Sequence, residues 1–249
     1  MVALFNEIFY RPIFNALVLL YEYLPGADLG VAIIILTVLI RVVLLPIFYK
    51  GAKDQAIIQC LAPKMKEIEA QHKDDQQKKL AAMLSLYREH KVNPLSPFLL
   101  LLIQLPVIIG LYQVFWKGIS EESLKFLYSF VVAPEAVNHI FLGLVDLSSR
   151  NFFIVALAAV AQYFQGRLSL PKNTAPKKDL TPMEMMGKQM VYMGPIMTVL
   201  FLSYLPSALG LYWLTTSVFS VIQQVVINKR LQVSDEKLIE IDKKLHHKI

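Results

Sequence analysis

Five apolar stretches limit what this chain can fold into. Each is close to the roughly 20 mostly apolar residues that a helix needs to cross the hydrocarbon core of a bilayer. Arg41 and Arg167 are the only charged residues that these stretches contain. They run from Leu29 to Phe48, Leu95 to Trp116, Asn151 to Leu168, Met190 to Leu205 and Ser207 to Ile227. A soluble helical core rarely holds so many such stretches, so the sequence predicts an all-α integral membrane protein with five transmembrane helices.

The basic residues between and after these stretches predict the orientation. Lysines and arginines are concentrated in residues 50–94, in residues 167–188 and in the tail after Ile227. The segments on the opposite side of the membrane hold only Arg11, Lys117, Lys125 and Arg150. Because basic loops remain in the cytoplasm, the sequence predicts an N-terminus outside and a C-terminus in the cytoplasm.

The predicted organisation follows from these stretches and charges. It comprises an N-terminal segment (1–28), transmembrane helices (29–50, 95–116, 151–168, 188–205 and 207–228), a cytoplasmic helical hairpin (51–94), an extracytoplasmic connection (117–150), a cytoplasmic loop (169–187) and a basic cytoplasmic tail (229–249).

The N-terminal segment contains an apolar stretch that polar and charged residues interrupt. These residues are Glu7, Arg11, Asn15 and Glu22. Such a stretch is compatible with a sixth span or with an amphipathic helix that lies in the membrane interface. The scattered charges and the Pro25-Gly26 pair that follows favour the interfacial helix.

Residues 51–94 are predicted to form two amphipathic helices that pack as a hairpin. Apolar residues recur at helical spacing in both halves, and Asp74 and Asp75 separate the two halves. The hairpin is either a solvated spacer or a docking surface for a partner, and the sequence favours neither.

Arg41 is the charged residue that says most about function. It lies seven residues before Phe48, which places it about 10 Å below the cytoplasmic surface of the membrane. An arginine that faces lipid at depth costs about 2.5–3.5 kcal/mol, so Arg41 either snorkels to the interface or faces a water-filled cavity. Polar residues in the other spans favour a cavity in which Arg41 binds an acidic ligand. The candidate groove residues are Arg41, Thr37, Gln104, Gln162, Gln165, Tyr212 and Thr216.

Residue types that support catalysis form no pattern in this sequence. It contains no Gly-rich phosphate loop, so the use of a nucleotide is not expected. All five histidines lie outside the predicted spans and no Asp or Glu lies inside one, so an intramembrane protease or a proton-driven pump lacks the residues it needs. Cys60 is the single cysteine, which excludes an internal disulfide. The sequence therefore predicts a protein that is not an enzyme and has no cofactor or metal.

Four segments resemble the YidC/Oxa/Alb family of membrane-protein insertases. The family's first core span, with its intramembrane arginine, is similar to AIIILTVLIRVVLLPIFYK (32–50), and its second core span is similar to NPLSPFLLLLIQLPVIIGLY (93–112). The segment before the third span is similar to FLGLVDLS (141–148), and the last span to GLYWLTTSVFSVIQQ (210–224). Their order, with a hairpin between the first two, makes the resemblance specific, although Pro97 and Phe98 depart from the Gly-Cys-like pair of many members.

The resemblance implies an insertase of the bacterial cytoplasmic membrane, with five spans around a hydrophilic groove that opens to the cytoplasm. Arg41 matches the arginine of that groove, and Thr37, Gln104, Tyr212 and Trp213 match polar or substrate-facing positions. Implied partners are nascent membrane proteins and the lipid bilayer, together with the ribosome and the signal recognition system, and the sequence leaves open whether the Sec translocon takes part. The alternative function is a small-anion channel or transporter, and a third is a purely structural assembly protein.

Overall fold

The computed structural model describes residues 2–24, 26–118, 121–170 and 182–246, and it is mostly helical. Most of the predicted loop 169–187 therefore lies outside the described residues. The helices are α1 (Val2–Phe5), α2 (Arg11–Tyr23), α3 (Leu29–Val43), α4 (Leu45–Cys60), α5 (Ala62–Gln71), α6 (Gln76–Glu89), α7 (Ser96–Lys117), α8 (Glu121–Leu124), α9 (Phe152–Ser169), α10 (Pro182–Leu202) and α11 (Ser207–His246). A π-helical turn (Asn6–Tyr10) joins α1 to α2, and two short antiparallel strands, β1 (Ile140–Phe141) and β2 (Val145–Asp146), precede α9.

Apolar helices of membrane-spanning length confirm the predicted all-α integral membrane fold. Within the described residues they are Ala3–Tyr23, Phe98–Trp116, Phe152–Ser169 and Ser207–Arg230, and the bent pair α3–α4 is a further candidate. This set differs from the five predicted spans. It includes the N-terminal helix, and it does not include α10, which begins at Pro182 rather than at residue 188.

The bend between α3 and α4 follows from Pro46. Pro46 has no backbone N–H to donate to the carbonyl of Val42, four residues earlier, and its ring crowds that carbonyl. The α3 helix accordingly ends at Val43, and the two helices meet at an angle of 68°. The stretch 29–50, predicted as one span, is therefore two helices, and α4 continues to Cys60.

Helix α11 contacts most of the other long helices. It packs against α9 and α3 and also contacts α4, α7 and α10. Small residues allow membrane helices to approach closely, and Gly210 does so here, because a Cβ atom at this position would lie 2.9 Å from a methyl group of Ile154. Helix α11 thereby brings Tyr212 close to side chains of α3 and α7.

The starts of α3 and α11 meet the connection 121–150 at one end of the bundle, which we call the loop face. Asp28 caps α3 by accepting the backbone N–H of Gly30 at 2.7 Å, as N-cap residues do. Its other carboxylate oxygen accepts the Leu142 N–H at 2.7 Å. Ser207, at the start of α11, donates its backbone N–H and its hydroxyl to the Ser149 carbonyl at 2.9 and 2.6 Å. These bonds fix the connection to the helix ends.

The N-terminal helix lies along this connection. The side chains of Arg11 and Asn15 both donate to the Phe126 carbonyl, at 3.1 and 2.9 Å. Further along the same helix, beyond Asn15, the Tyr21 hydroxyl accepts the Asn138 N–H at 2.7 Å. The apolar face of the N-terminal helix is buried in the main core together with residues of α3, α7 and α11.

The opposite end of the bundle carries α5 and α6, and we call it the hairpin face. The two helices share a small core of buried residues that includes Leu61, Met65, Leu86 and Tyr87. Burial raises the pKa of the Tyr87 phenol. Asp75 caps α6 by accepting the Lys78 N–H at 3.0 Å, and this bond lowers the pKa of the Asp75 carboxyl.

Candidate functional site

Arg41 lies in the last turn of α3, and only 7% of its surface is exposed. The helix that follows the bend places Phe48 beside it, with 4.3 Å between the guanidinium carbon and the centre of the ring. Among the described residues, no carboxylate oxygen lies within 4.0 Å of the guanidinium, and no side chain or carbonyl forms a hydrogen bond with it. The arrangement is a buried cation whose nearest described partner is an aromatic face.

Tyr212 and Gln104 bring polar groups from two further helices to this position. Tyr212 of α11 is 2% exposed and interacts electrostatically with Arg41. Its hydroxyl accepts a hydrogen bond from the Gln104 amide of α7. Thr216, one turn along α11, lies beside the same hydroxyl. We refer to Arg41, Phe48, Gln104, Tyr212 and Thr216 as the Arg41 cluster.

Thr37 lies on the same face of α3 as Arg41, one turn earlier, and is 1% exposed. Its hydroxyl donates to the Ile33 carbonyl at 2.6 Å. Thr37 therefore adds a polar group whose donor is already used within its own helix.

The other candidate residues lie elsewhere. Gln162 of α9 accepts a hydrogen bond from the Thr198 hydroxyl of α10, so its amide joins these two helices. Trp213 points away from its neighbour Tyr212 and packs against a separate cluster that includes Val155 and Leu202. Gln165 is half-buried on α9, and no hydrogen bond of the described residues joins its side chain to the Arg41 cluster.

Two contacts were not anticipated from the sequence, one in the Arg41 cluster and one at the hairpin face. Phe48 contacts Arg41 because the helix bends, and Pro46 is the signal that indicates such a bend. Asp54, which the sequence places in the hairpin 51–94, is 5% exposed and accepts the Ser96 hydroxyl at 2.7 Å. This bond joins α4 to the start of α7 at the hairpin face, and no local sequence pattern reports a pairing between residues so far apart.

The chemistry that this site can perform is the binding of an anion. A guanidinium carries five N–H donors, and a buried charge is costly unless it is paired and hydrogen-bonded. The Gln104–Tyr212 pair adds polar atoms on one side of the guanidinium, and the Phe48 ring covers another side. In the described part of the chain, no group of three His, Cys, Asp or Glu side chains could hold a metal ion.

Comparison with known proteins places the chain in a family. The model of the 60Kd inner membrane protein family matches residues 19–236. The chain belongs to this family. The match confirms the resemblance seen in the four sequence segments, and it makes the chain a multi-pass protein of the bacterial inner membrane.

Relatives of this 60Kd inner membrane protein family carry the name membrane protein insertase YidC. The Wolinella succinogenes protein is 32% identical over 229 residues, which cover 92% of this chain and 38% of the relative. The Helicobacter pylori protein is 31% identical over 241 residues, or 96% of this chain and 39% of the relative. The Francisella philomiragia protein is 33% identical over 210 residues, or 84% and 34%. The chain thus spans less than two fifths of the length of each of these three relatives.

Proposed function

We propose that this chain inserts other proteins into the bacterial inner membrane. The observation that carries the proposal is Arg41, a cation buried in a membrane helix without a carboxylate partner among the described residues. The relatives support it, because they are named membrane protein insertases.

In this proposal the Arg41 cluster lies in a hydrophilic groove that is open to the cytoplasm and to lipid. A client protein must move a short polar tail across about 30 Å of hydrocarbon, and a wet groove shortens that path. Arg41 attracts acidic residues of the tail, and the attraction is stronger in the groove than in water because the effective dielectric constant is lower. Gln104, Tyr212 and Thr216 supply further hydrogen-bonding groups along the path.

The driving force is the transfer of the client's apolar segment into lipid. Burial of apolar surface contributes about 0.8 kcal/mol per CH₂ group, so a span of ordinary length provides enough free energy without nucleotide hydrolysis. The chain therefore lowers a barrier and does not perform a chemical reaction.

The direct test is insertion of a single-span client into liposomes that contain only this protein. We expect the client to become protected from added protease on its translocated tail, and liposomes without the protein to give little protection. A chloride flux assay on the same liposomes distinguishes an insertase from a small-anion channel. Rapid chloride efflux without client insertion would support the anion channel and contradict the proposal.

The orientation proposed from the basic residues places the hairpin face in the cytoplasm and the loop face outside. Cysteines at Lys73, on the hairpin, and at Glu122, in the connection, test it in a Cys60→Ala background. An impermeant maleimide added to intact cells should label position 122 and leave position 73 unlabelled until the cells are lysed. Labelling of position 73 in intact cells would reverse the orientation.

The N-terminal helix is proposed to lie in the outer interface. Its contacts with residues 126–138 extend from Arg11 to Tyr21, about 15 Å along the helix axis. A helix that crossed the membrane would meet the loop face only at one end. The proposed placement therefore agrees with the interfacial helix that the scattered charges favour.

The hairpin and the basic tail are proposed as contacts for the ribosome, the signal recognition system and the Sec translocon. Helix α11 continues past its membrane-spanning part, Ser207–Arg230, to His246, which carries the basic sequence away from the bilayer. Lysines and arginines bind RNA phosphates with a steep dependence on salt.

Deletion of residues 229–249 should lower the amount of protein that sediments with ribosomes at low salt. The full chain should lose the same binding when salt is raised. Equal sedimentation of the truncated and full chains at low salt would remove the tail from the proposed ribosome contact.

A further inference from the structure

Three exposed apolar side chains project from the strand pair of the loop face. Ile140, Leu142 and Leu144 are 47%, 63% and 84% exposed. The segment 140–145 carries no charged residue. Exposed apolar patches mark surfaces that contact a partner or a membrane.

The turn between the strands contains a residue that suits it poorly. Leu142 and Gly143 have φ values of 50° and 69°, and the Leu144 N–H donates to the Phe141 carbonyl at 3.0 Å. Turns with two positive φ values strongly prefer Asn, Asp or Gly at both positions. A leucine in this conformation is strained, and its side chain gains little from packing inside the protein because most of it is exposed. The presence of an apolar side chain at this exposed position is explained by a contact with a partner outside the protein.

The position of the turn identifies that contact. The Asp28 carboxylate holds the Leu142 N–H while it caps α3, so the turn lies level with the start of a membrane helix. The Phe141 ring fixes it there, because a Cβ atom on Gly30 would fall 2.1 Å from a ring carbon.

Exposed aromatic side chains also lie at the loop-face ends of other helices. Trp116, Phe152 and Tyr204 are 69%, 69% and 71% exposed, and they lie where α7 ends, where α9 starts and just after α10. Aromatic side chains are enriched where a membrane helix meets the interface. The leucines of the turn thus lie at the lipid boundary.

We propose that the turn Leu142-Gly143-Leu144 inserts into the leaflet on the loop face, with Ile140 beside it, and that lipid is its partner. The insertion holds the connection 121–150 against the bilayer. Since Arg11 and Asn15 bind the Phe126 carbonyl, it also holds the N-terminal helix there. The proposal does not depend on the insertase function.

Tryptophan fluorescence of the full chain in phosphatidylcholine liposomes tests the proposal. Trp116→Phe and Trp213→Phe remove the two native tryptophans, and Leu144→Trp then reports on the turn alone. Glu135→Trp is the matched control, because Glu135 is exposed on the same connection. Ile140→Trp gives a second reporter outside the strained turn.

Tryptophan at 144 or 140 should emit at shorter wavelength than tryptophan at 135. Lipids brominated near the top of the acyl chains should quench it, and aqueous iodide should quench it several-fold less than the control. Equal iodide quenching at all three positions, without quenching by brominated lipid, would overturn the proposal and would leave this surface as a contact for a protein.

Discussion

Replacing Arg41 with alanine is expected to slow the insertion of clients with acidic tails by roughly ten- to a hundredfold. A hydrogen bond to a charged group contributes about 1.5–3 kcal/mol net, and about 1.4 kcal/mol corresponds to a factor of ten in rate. Arg41 is 7% exposed, so solvent screens the interaction less than at a surface site. Clients with neutral tails should lose much less, because they gain little from the cation. The measurement is the rate of client protection in proteoliposomes.

Further substitutions separate charge from shape. Arg41→Lys should retain much of the activity, although lysine cannot make a bidentate contact with a carboxylate. Arg41→Glu should insert acidic clients more slowly than Arg41→Ala, because it repels them. Arg150→Ala is the matched control, since Arg150 is an exposed arginine on the connection before α9, and it should leave the rate unchanged.

An unchanged rate for acidic clients in the Arg41→Ala protein would refute the attraction of client tails by Arg41. The groove would then act through water and shape alone, and Arg41 would be a structural residue that packs on Phe48. That result would not affect the insertion measured with the unmodified chain. The insertase proposal is tested by the unmodified chain, and the role of Arg41 is tested by the variant.

The membrane helices are the part of the fold that the sequence predicts well. A run of apolar residues in lipid must form its own backbone hydrogen bonds, and an α-helix does so. This signal is local in the sequence. Two helix starts are also readable, because Asp28 and Asn151 cap α3 and α9 with their side chains. The bend at Leu44 is signalled by Pro46, but its angle of 68° depends on how α4 packs against α7 and α11.

The candidate site was predicted less completely, because polar residues in membrane helices have several ways to be satisfied. The sequence grouped Arg41, Gln104 and Gln162 as groove residues, yet Gln162 pairs with Thr198 between α9 and α10. Gln104 meets Tyr212 across 108 positions of the chain. Pairings of this kind depend on helix rotation and on which helices are neighbours, and neither is encoded in the spacing of a single helix.

Asn15 gives the clearest case of a polar residue whose role the sequence did not reveal. It counts in the sequence as one of the polar interruptions of the N-terminal helix, but it is 1% exposed. Its amide donates to the Arg11 carbonyl at 2.7 Å and to the Phe126 carbonyl at 2.9 Å, and its oxygen accepts the Tyr128 N–H at 2.7 Å. Asn15 thus ties the N-terminal helix to the connection at the loop face.

Asn15→Leu is expected to destabilise the protein by about 3 kcal/mol, because three hydrogen bonds are lost and the Tyr128 N–H is left without its partner. For a chain of this length about 3 kcal/mol corresponds to a fall of roughly 6–12 °C in Tm. The measurement is the midpoint of heat-induced loss of the monodisperse peak, by size-exclusion chromatography of the detergent-solubilised protein. Asn15→Asp should recover little, because a carboxylate keeps the bond to Tyr128 but repels the Phe126 and Arg11 carbonyls.

Asn6→Leu is the matched control for this prediction. It makes the same chemical change in the same N-terminal helix, at an asparagine whose side chain makes no hydrogen bond within the described part of the chain. Its midpoint should stay close to that of the unmodified protein. If the Asn15→Leu and Asn6→Leu proteins have the same thermal midpoint, the hydrogen bonds of Asn15 add nothing to stability. The N-terminal helix is then held at the loop face by its apolar side alone.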